Sequence, residues 1–433
     1  MISGHYGRSC GILCLNFRRA VMDAEQISGN AAFEFLSHFD YIREAGTDGE
    51  EKAAIQLSEQ LRGLGLTPET EEFPVSRYQV KRAFFRVTKP FVKEYPVAGL
   101  RGTSSCPLQR REFLYVEEGD AVSLSKASGK IILLSHRPTS QEYKRLTASG
   151  AAGLVCVCGT PLDEGIARIP QENKISALPS GPLPGVMLHY QDAREIVERG
   201  GCEAELLLEF AHTQTRSRNV IARIPGSRNP ERIIAITAHY DSVPGSKGAY
   251  DNMAGAAIVF SLCRYFVQHP PRCTMEFVFL GAEEIGCLGS RDYLSRRRGI
   301  LPQYLLDLNV DLAGQTIGGT VLGVTADESL CNVLEACLWS CGLGAKLRHS
   351  VWNGDANVFA WNGIPAVTLD RDGFGMHTRH DTMDLISPWA LQRDARLLAY
   401  LADYFDRSEQ ALFSREIPPA FMDVLCQRFG TKT

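Results

Sequence analysis

The sequence predicts an α/β protein: a mostly parallel central sheet flanked by helices, with an inserted β-rich module. Three observations lead there. Short apolar runs alternate with helix-period stretches, the pattern of parallel strands joined by crossover helices. Between about residues 83 and 212 this gives way to short strand-like pieces and turns with only two short helices. Finally, Ile233 to Glu284 reads as strand, loop, helix, strand, with an acid or a histidine at each strand end. Open α/β sheets hold ligands at the carboxyl ends of their strands.

Composition narrows the function classes. A chain of 433 residues allows two or three domains of roughly 100–200 residues each. It is 44% hydrophobic and 22% charged, an ordinary globular balance. The formal charge is −4 with no long basic block, which argues against a nucleic-acid partner. No apolar run reaches the roughly 18 residues of a membrane span, so no membrane partner is expected. The 13 cysteines include no CxxC pair and read as mostly buried free thiols. That usage suits a reducing compartment. MISGHYGRSCGILCLNFRRA lacks a clean apolar region and a small-residue cleavage site, so a cytoplasmic location is expected. Residues 1–21 are expected to be a disordered or untranslated leader, with Met22 opening a more ordinary start.

The elements follow in order. Residues 24–61 read as two helical pieces, the first carrying an apolar stripe of Ala32, Phe33, Phe35, Leu36 and Phe39. Thr47 or Asp48 is placed to cap the second, Glu50 to Leu61, which buries Ala53, Ala54, Leu57 and Leu61. Gly63 and Gly65 stop it, and Thr67 to Phe73 reads as a strand. In the insert, strands are expected at Lys130 to Leu134, Gly153 to Val157, Leu183 to Leu188 and Cys202 to Phe210. Its helices are expected at Gln141 to Ser149 and Gln191 to Arg199. Asn219 to Ile224 resumes the first pattern. Beyond Glu284, strands are expected at Tyr304 to Val310, Thr320 to Val324 and Pro365 to Leu369. Helices are expected at Ser290 to Arg297, Leu330 to Trp339, around Val358 to Trp361, and at Pro388 to Phe405, the last clear one.

Five polar groups sit at strand ends or in the loops beyond: His239, Asp251, Glu284, Asp311 and His377. Two imidazoles and three carboxylates form a mixed N/O ligand set suited to zinc, and less commonly to manganese or cobalt. Five side chains exceed what one tetrahedral ion with an open position needs. They suit two ions sharing one carboxylate, each with one histidine and one private acid. Glu283 and Glu284 are adjacent and point different ways, so one can bind metal while the other serves as general base. Asp241, two residues after His239, is placed to orient that imidazole.

The segments AHYDS, GAYDNMAGA, GAEEIGCLGSRDYL, NVDLAG and HTRHDT resemble, in order and spacing, the co-catalytic di-zinc aminopeptidase family. That family includes bacterial leucyl aminopeptidases, glutamate carboxypeptidase and the glutaminyl cyclases. The likeness spans residues 30–80 and 217–405, and includes GTDGEEKAAIQLSEQLRGLGL and GIPAV. It implies a zinc-exopeptidase-like fold in which Asp251 bridges two metals. It puts His239 and Asp311 on one metal, Glu284 and His377 on the other, and gives Glu283 the role of base. It also implies a non-proline cis peptide after Asp251. GKIILLSHRPTSQEYKRLTASGAAGLVCV and LPGVMLHYQDAREI resemble a protease-associated domain. Two segments depart from the pattern: Gly354-Asp355-Ala356 stands where the family often has Ser-Asp-His, and the loop before His377 carries Asp370, Arg371 and Asp372.

The expected division is thus residues 22–82 with 213–433 as the catalytic domain and 83–212 as a protease-associated-like insert. The expected activity is a metal-dependent aminopeptidase using a di-zinc-activated water on short peptides with a free N-terminus. A carboxypeptidase or glutaminyl cyclase of the same family is the alternative within enzymes, and a binding protein on a peptidase fold the alternative outside them. His136, His189, His269 and His349 are expected to be structural, His380 to lie on the surface, Asp381 to act as a cap or as a partner to the ligands, and Arg296 to Arg298 to be a solvated helix end.

Overall fold

The structure is a computed structural model that describes residues 26–162, 182–408 and 412–431. The leader expected over residues 1–21 lies outside them. The chain forms two compact units: residues up to Val75 together with Thr215 onward, and Ser76–Gln214. The changeovers differ from the expected 82/83 and 212/213. Both fall inside uninterrupted strands, Glu69–Lys89 and Glu203–Ile224, where no glycine or turn marks the point.

In chain order, α1 (Gly29–Ser37) and α2 (Asp48–Gly63) open the first unit, and β1 (Glu69–Lys89) leads out of it. The second unit holds β2 (Lys93–Tyr95), β3 (Val97–Gly99), β4 (Cys106–Tyr115), β5 (Ile131–Leu134), α3 (Ser140–Ala148), β6 (Gly153–Cys158), β7 (Gly185–His189) and α4 (Tyr190–Glu198). β8 (Glu203–Ile224) leads back. Then come β9 (Asn229–His239), α5 (Ala254–Gln268), β10 (Cys273–Leu280), α6 (Leu288–Arg296), β11 (Tyr304–Val310) and β12 (Thr320–Thr325). α7 (Glu328–Cys341), β13 (Lys346–His349), α8 (Ala356–Trp361), β14 (Ala366–Arg371), α9 (Pro388–Arg407) and α10 (Pro419–Phe429) complete it.

In the first unit, strand order is β13-β12-β14-β11-β9-β10-β8. The pairs β9–β10, β9–β11, β11–β14 and β12–β13 are parallel, whereas β12–β14 and β8–β10 are antiparallel. The central strands are apolar on both faces. Ile234, Ile236, Phe277 and Phe279 pack with α5 and α9 on one side, through Ile258, Leu391 and Leu398. Ile233, Ala235, Val278 and Leu280 pack with α6 and α8 on the other, through Tyr293, Leu294 and Phe359. Each fully buried isoleucine, leucine, valine or phenylalanine among them stabilises the fold by roughly 1.5–3 kcal/mol. α2 begins where the Thr47 hydroxyl accepts from the Glu50 amide, with Asp48, Glu50 and Glu51 in its first turn complementing the helix dipole. Gly65, at φ +82°, turns the chain after its end.

The second unit is β-rich, as expected. β4, β5, β6 and β7 run parallel in sequence order, β3 joins β7 antiparallel, and the first half of β8 pairs antiparallel with β4. Apolar residues line both faces of this sheet, Leu133, Val155 and Leu188 on one and Ile132, Leu134 and Leu154 on the other. Among the described residues no helix is long and apolar enough to cross a membrane. The described cysteines are free, and most of them are buried.

Candidate metal centre

Parallel strands β9, β10 and β11 end side by side, with Leu280 in register with His239. Their polar end residues therefore converge although they are far apart in sequence. The β9 run IIAITA is fully buried and delivers His239, itself 2% exposed, to the sheet's edge. Its Nε2 lies 3.1 Å from Asp251 Oδ1 and 3.4 Å from Asp311 Oδ1. Its Nδ1 lies 3.3 Å from Asp241 Oδ1. The other oxygen of Asp251, Oδ2, is 2.5 Å from His377 Nε2, which is 3.2 Å from Glu284 Oε1. Asp251 thus faces one imidazole with each oxygen. The Asp251–Asn252 peptide is cis, as the family resemblance implied.

Local structure explains how adjacent glutamates diverge. β10 ends at Leu280, and Ala282 turns the chain at φ +55°. The amides of Glu283 and Glu284 then donate to the two oxygens of Asp241, at 3.1 and 3.2 Å. Asp241 therefore meets both the imidazole of His239 and the turn bearing the two glutamates. Glu283 is 4% exposed, and its Oε1 receives the Cys287 thiol at 3.4 Å.

All seven residues singled out from the sequence come together. The donor atoms of His239, Asp251 and Asp311 lie within 4.8 Å of one another, and so do those of Asp251, Glu284 and His377. His239, Glu283 and Glu284 form a third such group. A fourth, Glu118, His136 and Glu142, is in the second unit, but there Glu142 is engaged in the capping box of α3. His380 is exposed, as expected.

Electrostatics mark the centre. Burial opposes the charge on Asp251, yet bonds from His239 and His377 outweigh it and hold the carboxyl well below the usual range. Burial pulls His377 down, but Asp251 and Glu284 outweigh that and push it up to about 10. His239 is raised well above its ordinary value by Asp241, Asp251 and Asp311 against the same opposing burial. Imidazoles held this tightly by carboxylates mark a pocket that favours positive charge. Three of the four Nε2–carboxylate distances at the centre, 3.1–3.4 Å, match the roughly 3.3 Å edge of a tetrahedron with bonds of about 2.0 Å, whereas the Asp251–His377 pair is closer, at 2.5 Å. The residues present thus fit divalent metal.

Other residues support the centre, and of these Asn252 and Arg43 escaped the sequence reading. Asp381, expected as a cap or partner, accepts the amides of Tyr250 at 2.6 Å and Asp251 at 3.0 Å. Asn252 donates to Val310 O at 2.7 Å and accepts from Leu312 N at 3.2 Å, tying the Asp251 loop to the end of β11. Arg43 is fully buried against the loop that follows β9. No periodicity announces residues that bond mainly to backbone. The departure at Gly354 also has a geometric reason: at φ +72°, a Cβ there would lie 2.5 Å from Asp311 Oδ2. Asp370 is pushed up to about 7 by burial and by Asp311, whereas Arg371 is bonded to Gln315 O, Thr316 O and Thr320.

Imidazoles and carboxylates thus converge at the strand ends of a helix-flanked, mostly parallel sheet as a donor set for divalent metal. Residues 219–402, which hold all seven residues, match Peptidase family M28. Aminopeptidase YwaD of Bacillus subtilis is 28% identical over 354 residues, 77% of this chain and 69% of that protein. The vacuolar membrane protease of Saccharomyces cerevisiae is 31% identical over 231 residues, 50% of this chain but 23% of that longer protein. The same fold is seen in BSAP, a zinc aminopeptidase from B. subtilis (TM-score 0.74, 20% identity, 91% of this chain and 99% of that one). It is also seen in a peptidase M28 precursor from Shewanella amazonensis (TM-score 0.77, 22% identity, 94% and 99%). The match to the M28 family model thus lies in the segment that carries the whole cluster, residues 219–402.

Proposed function

We propose that this chain is an aminopeptidase that holds two zinc ions and removes N-terminal residues from short peptides. The observation that carries the reading is Asp251, whose Oδ1 faces His239 and whose Oδ2 faces His377. In this reading Asp251 bridges, His239 and Asp311 complete one site, and His377 and Glu284 complete the other. Four clustered carboxylates, with Glu283 counted, balance two divalent charges, and manganese or cobalt would suit the same donors. When bound, the metal supplies a Lewis acid for the scissile carbonyl and lowers the pKa of a water.

The chain's own residues do the rest. Glu283 takes a proton from the attacking water and passes it to the leaving amine, so that one water and one peptide bond give an acid and an amine. Asp241 Oδ1, 3.3 Å from His239 Nδ1, orients the imidazole so that Nε2 faces the centre. The substrate's free ammonium group is drawn by the surrounding carboxylates. Ser76–Gln214 is read as a protease-associated domain on its sequence likeness alone.

The test is elemental analysis of protein purified without chelator, together with aminoacyl-4-nitroanilide hydrolysis before and after adding zinc. Two ions per chain with zinc-dependent release are expected. One ion, or two ions with hydrolysis only of C-terminally unblocked peptides, would overturn the aminopeptidase reading.

A further inference from the structure

Arg43 lies between α1 and α2, far in sequence from every residue of the metal centre, and is 0% exposed. Burying a guanidinium is costly unless its donors are satisfied. Here they are satisfied by main-chain carbonyls alone: Tyr240 O at 2.7 Å, Phe39 O at 2.8 Å, Tyr41 O at 2.9 Å, Lys247 O at 2.7 Å and Gly248 O at 2.9 Å. Three of those carbonyls belong to the loop joining His239 to Asp251. The Arg43 backbone grips the same loop, accepting from Ser242 N at 3.2 Å and donating to Ser242 Oγ at 3.0 Å. Gly248, at φ +57°, packs too closely for a side chain, since a Cβ there would lie 2.3 Å from Asp251 O and 3.2 Å from Arg43 Nη2.

The loop is held by two groups of opposite polarity. Arg43 takes the carbonyls of Tyr240, Lys247 and Gly248, and Asp381 takes the amides of Tyr250 and Asp251. A planar fork with five donors can reach that many carbonyls at once, whereas a lysine ammonium offers three donors from one point. The arginine's charge also lies beside the centre: Asp381, Asp241 and Asp251 all act on it.

We propose that Arg43 is a positioning residue for the metal centre, presetting the loop so that His239 and Asp251 are in place before an ion arrives. The proposal rests on the metal-binding reading above. Its test uses the full chain with Arg43→Lys and Arg43→Gln. Zinc retention against a competing chelator, amide hydrogen exchange at Tyr250 and Asp251 in metal-free protein, and kcat and KM are measured. Zinc retention is expected to weaken by about 10–100-fold, as when a partner of a ligand is removed. Protection at Tyr250 and Asp251 should fall, and kcat should drop with KM little changed. Wild-type zinc retention and exchange in a folded variant, even one with a lowered melting temperature, would overturn the proposal. Should neither variant fold, Ser242→Ala cuts one tie to the loop and should shift the same readouts in the same direction; no shift overturns it. If wild-type protein binds no zinc, the functional reading fails, and amide exchange alone then decides whether Arg43 sets the loop.

Discussion

Glu283 and Glu284 are neighbours with different surroundings, and substitution should separate their roles. Glu283→Gln keeps the shape but removes the proposed base, so zinc content should stay at the wild-type level while kcat falls about 10²–10⁴-fold. Asp251→Asn should instead lose zinc, because one oxygen facing each histidine is needed; elemental analysis distinguishes the two. Away from the centre, Asp307 is buried in the middle of β11, where Thr237 donates to Oδ1 at 2.9 Å and Oδ2 has no hydrogen-bond partner. Burial raises its carboxyl well above the usual range. The unfolded chain loses that proton near pH 4 and the folded chain only at higher pH, so folding takes up a proton in between. Stability therefore falls as pH rises through that window, by up to about 1.4 kcal/mol per pH unit. Asp307→Asn should flatten this slope in denaturant melts run at several pH values. The proposed ligands were legible in the sequence, because each is an acid or histidine at the end of an apolar run or in the loop beyond it. Arg43 was not, since an arginine that bonds to carbonyls looks in sequence like any solvated one.

At the scale of elements, α6 sits close against the turn that carries the two glutamates. Gly289 makes this possible: a Cβ there would lie 2.3 Å from Gly281 O and 2.5 Å from Asn219 Oδ1. Asn219 ties the two together, donating to Gly289 O at 3.0 Å and accepting from Gly281 N at 3.2 Å. Gly289→Ala should push α6 off the end of β10, cost about 1–3 kcal/mol, and loosen zinc as well. Thermal melts with and without zinc would read both effects. Most elements were foreseen because their apolar period matched their burial. β13, Lys346–His349, was missed because this edge strand exposes most of its side chains and has no apolar alternation. α10 was missed although Pro419 near its start and Gly430 after its end were signals, because it buries only Leu425. β1 and β8 proved longer than expected because each carries polar and charged side chains along its length without a turn.

At the scale of the molecule, Ser76–Gln214 is one continuous segment with apolar clusters of its own on both faces of a sheet. Expressed alone, it should unfold cooperatively in denaturant, as a domain with its own core does; a structureless product would show that it depends on the rest of the chain. That a strand-rich module interrupts the first unit was readable from the change of pattern. Where it begins was not, because the chain passes between units in mid-strand.

The sheet order has a consequence for biosynthesis. β14 is the last strand of the first unit to be made, yet it lies between β11 and β12. Until residues 366–371 are available, β11 and β12 would each lack one neighbour, and the strands already made could pair only as two separate groups. Open edges of this kind invite pairing with other chains. Closing the gap also brings His377, six residues beyond Arg371, to the strand ends. Insertion of β14 would therefore close the sheet and complete the cluster of Asp251, Glu284 and His377 in one step.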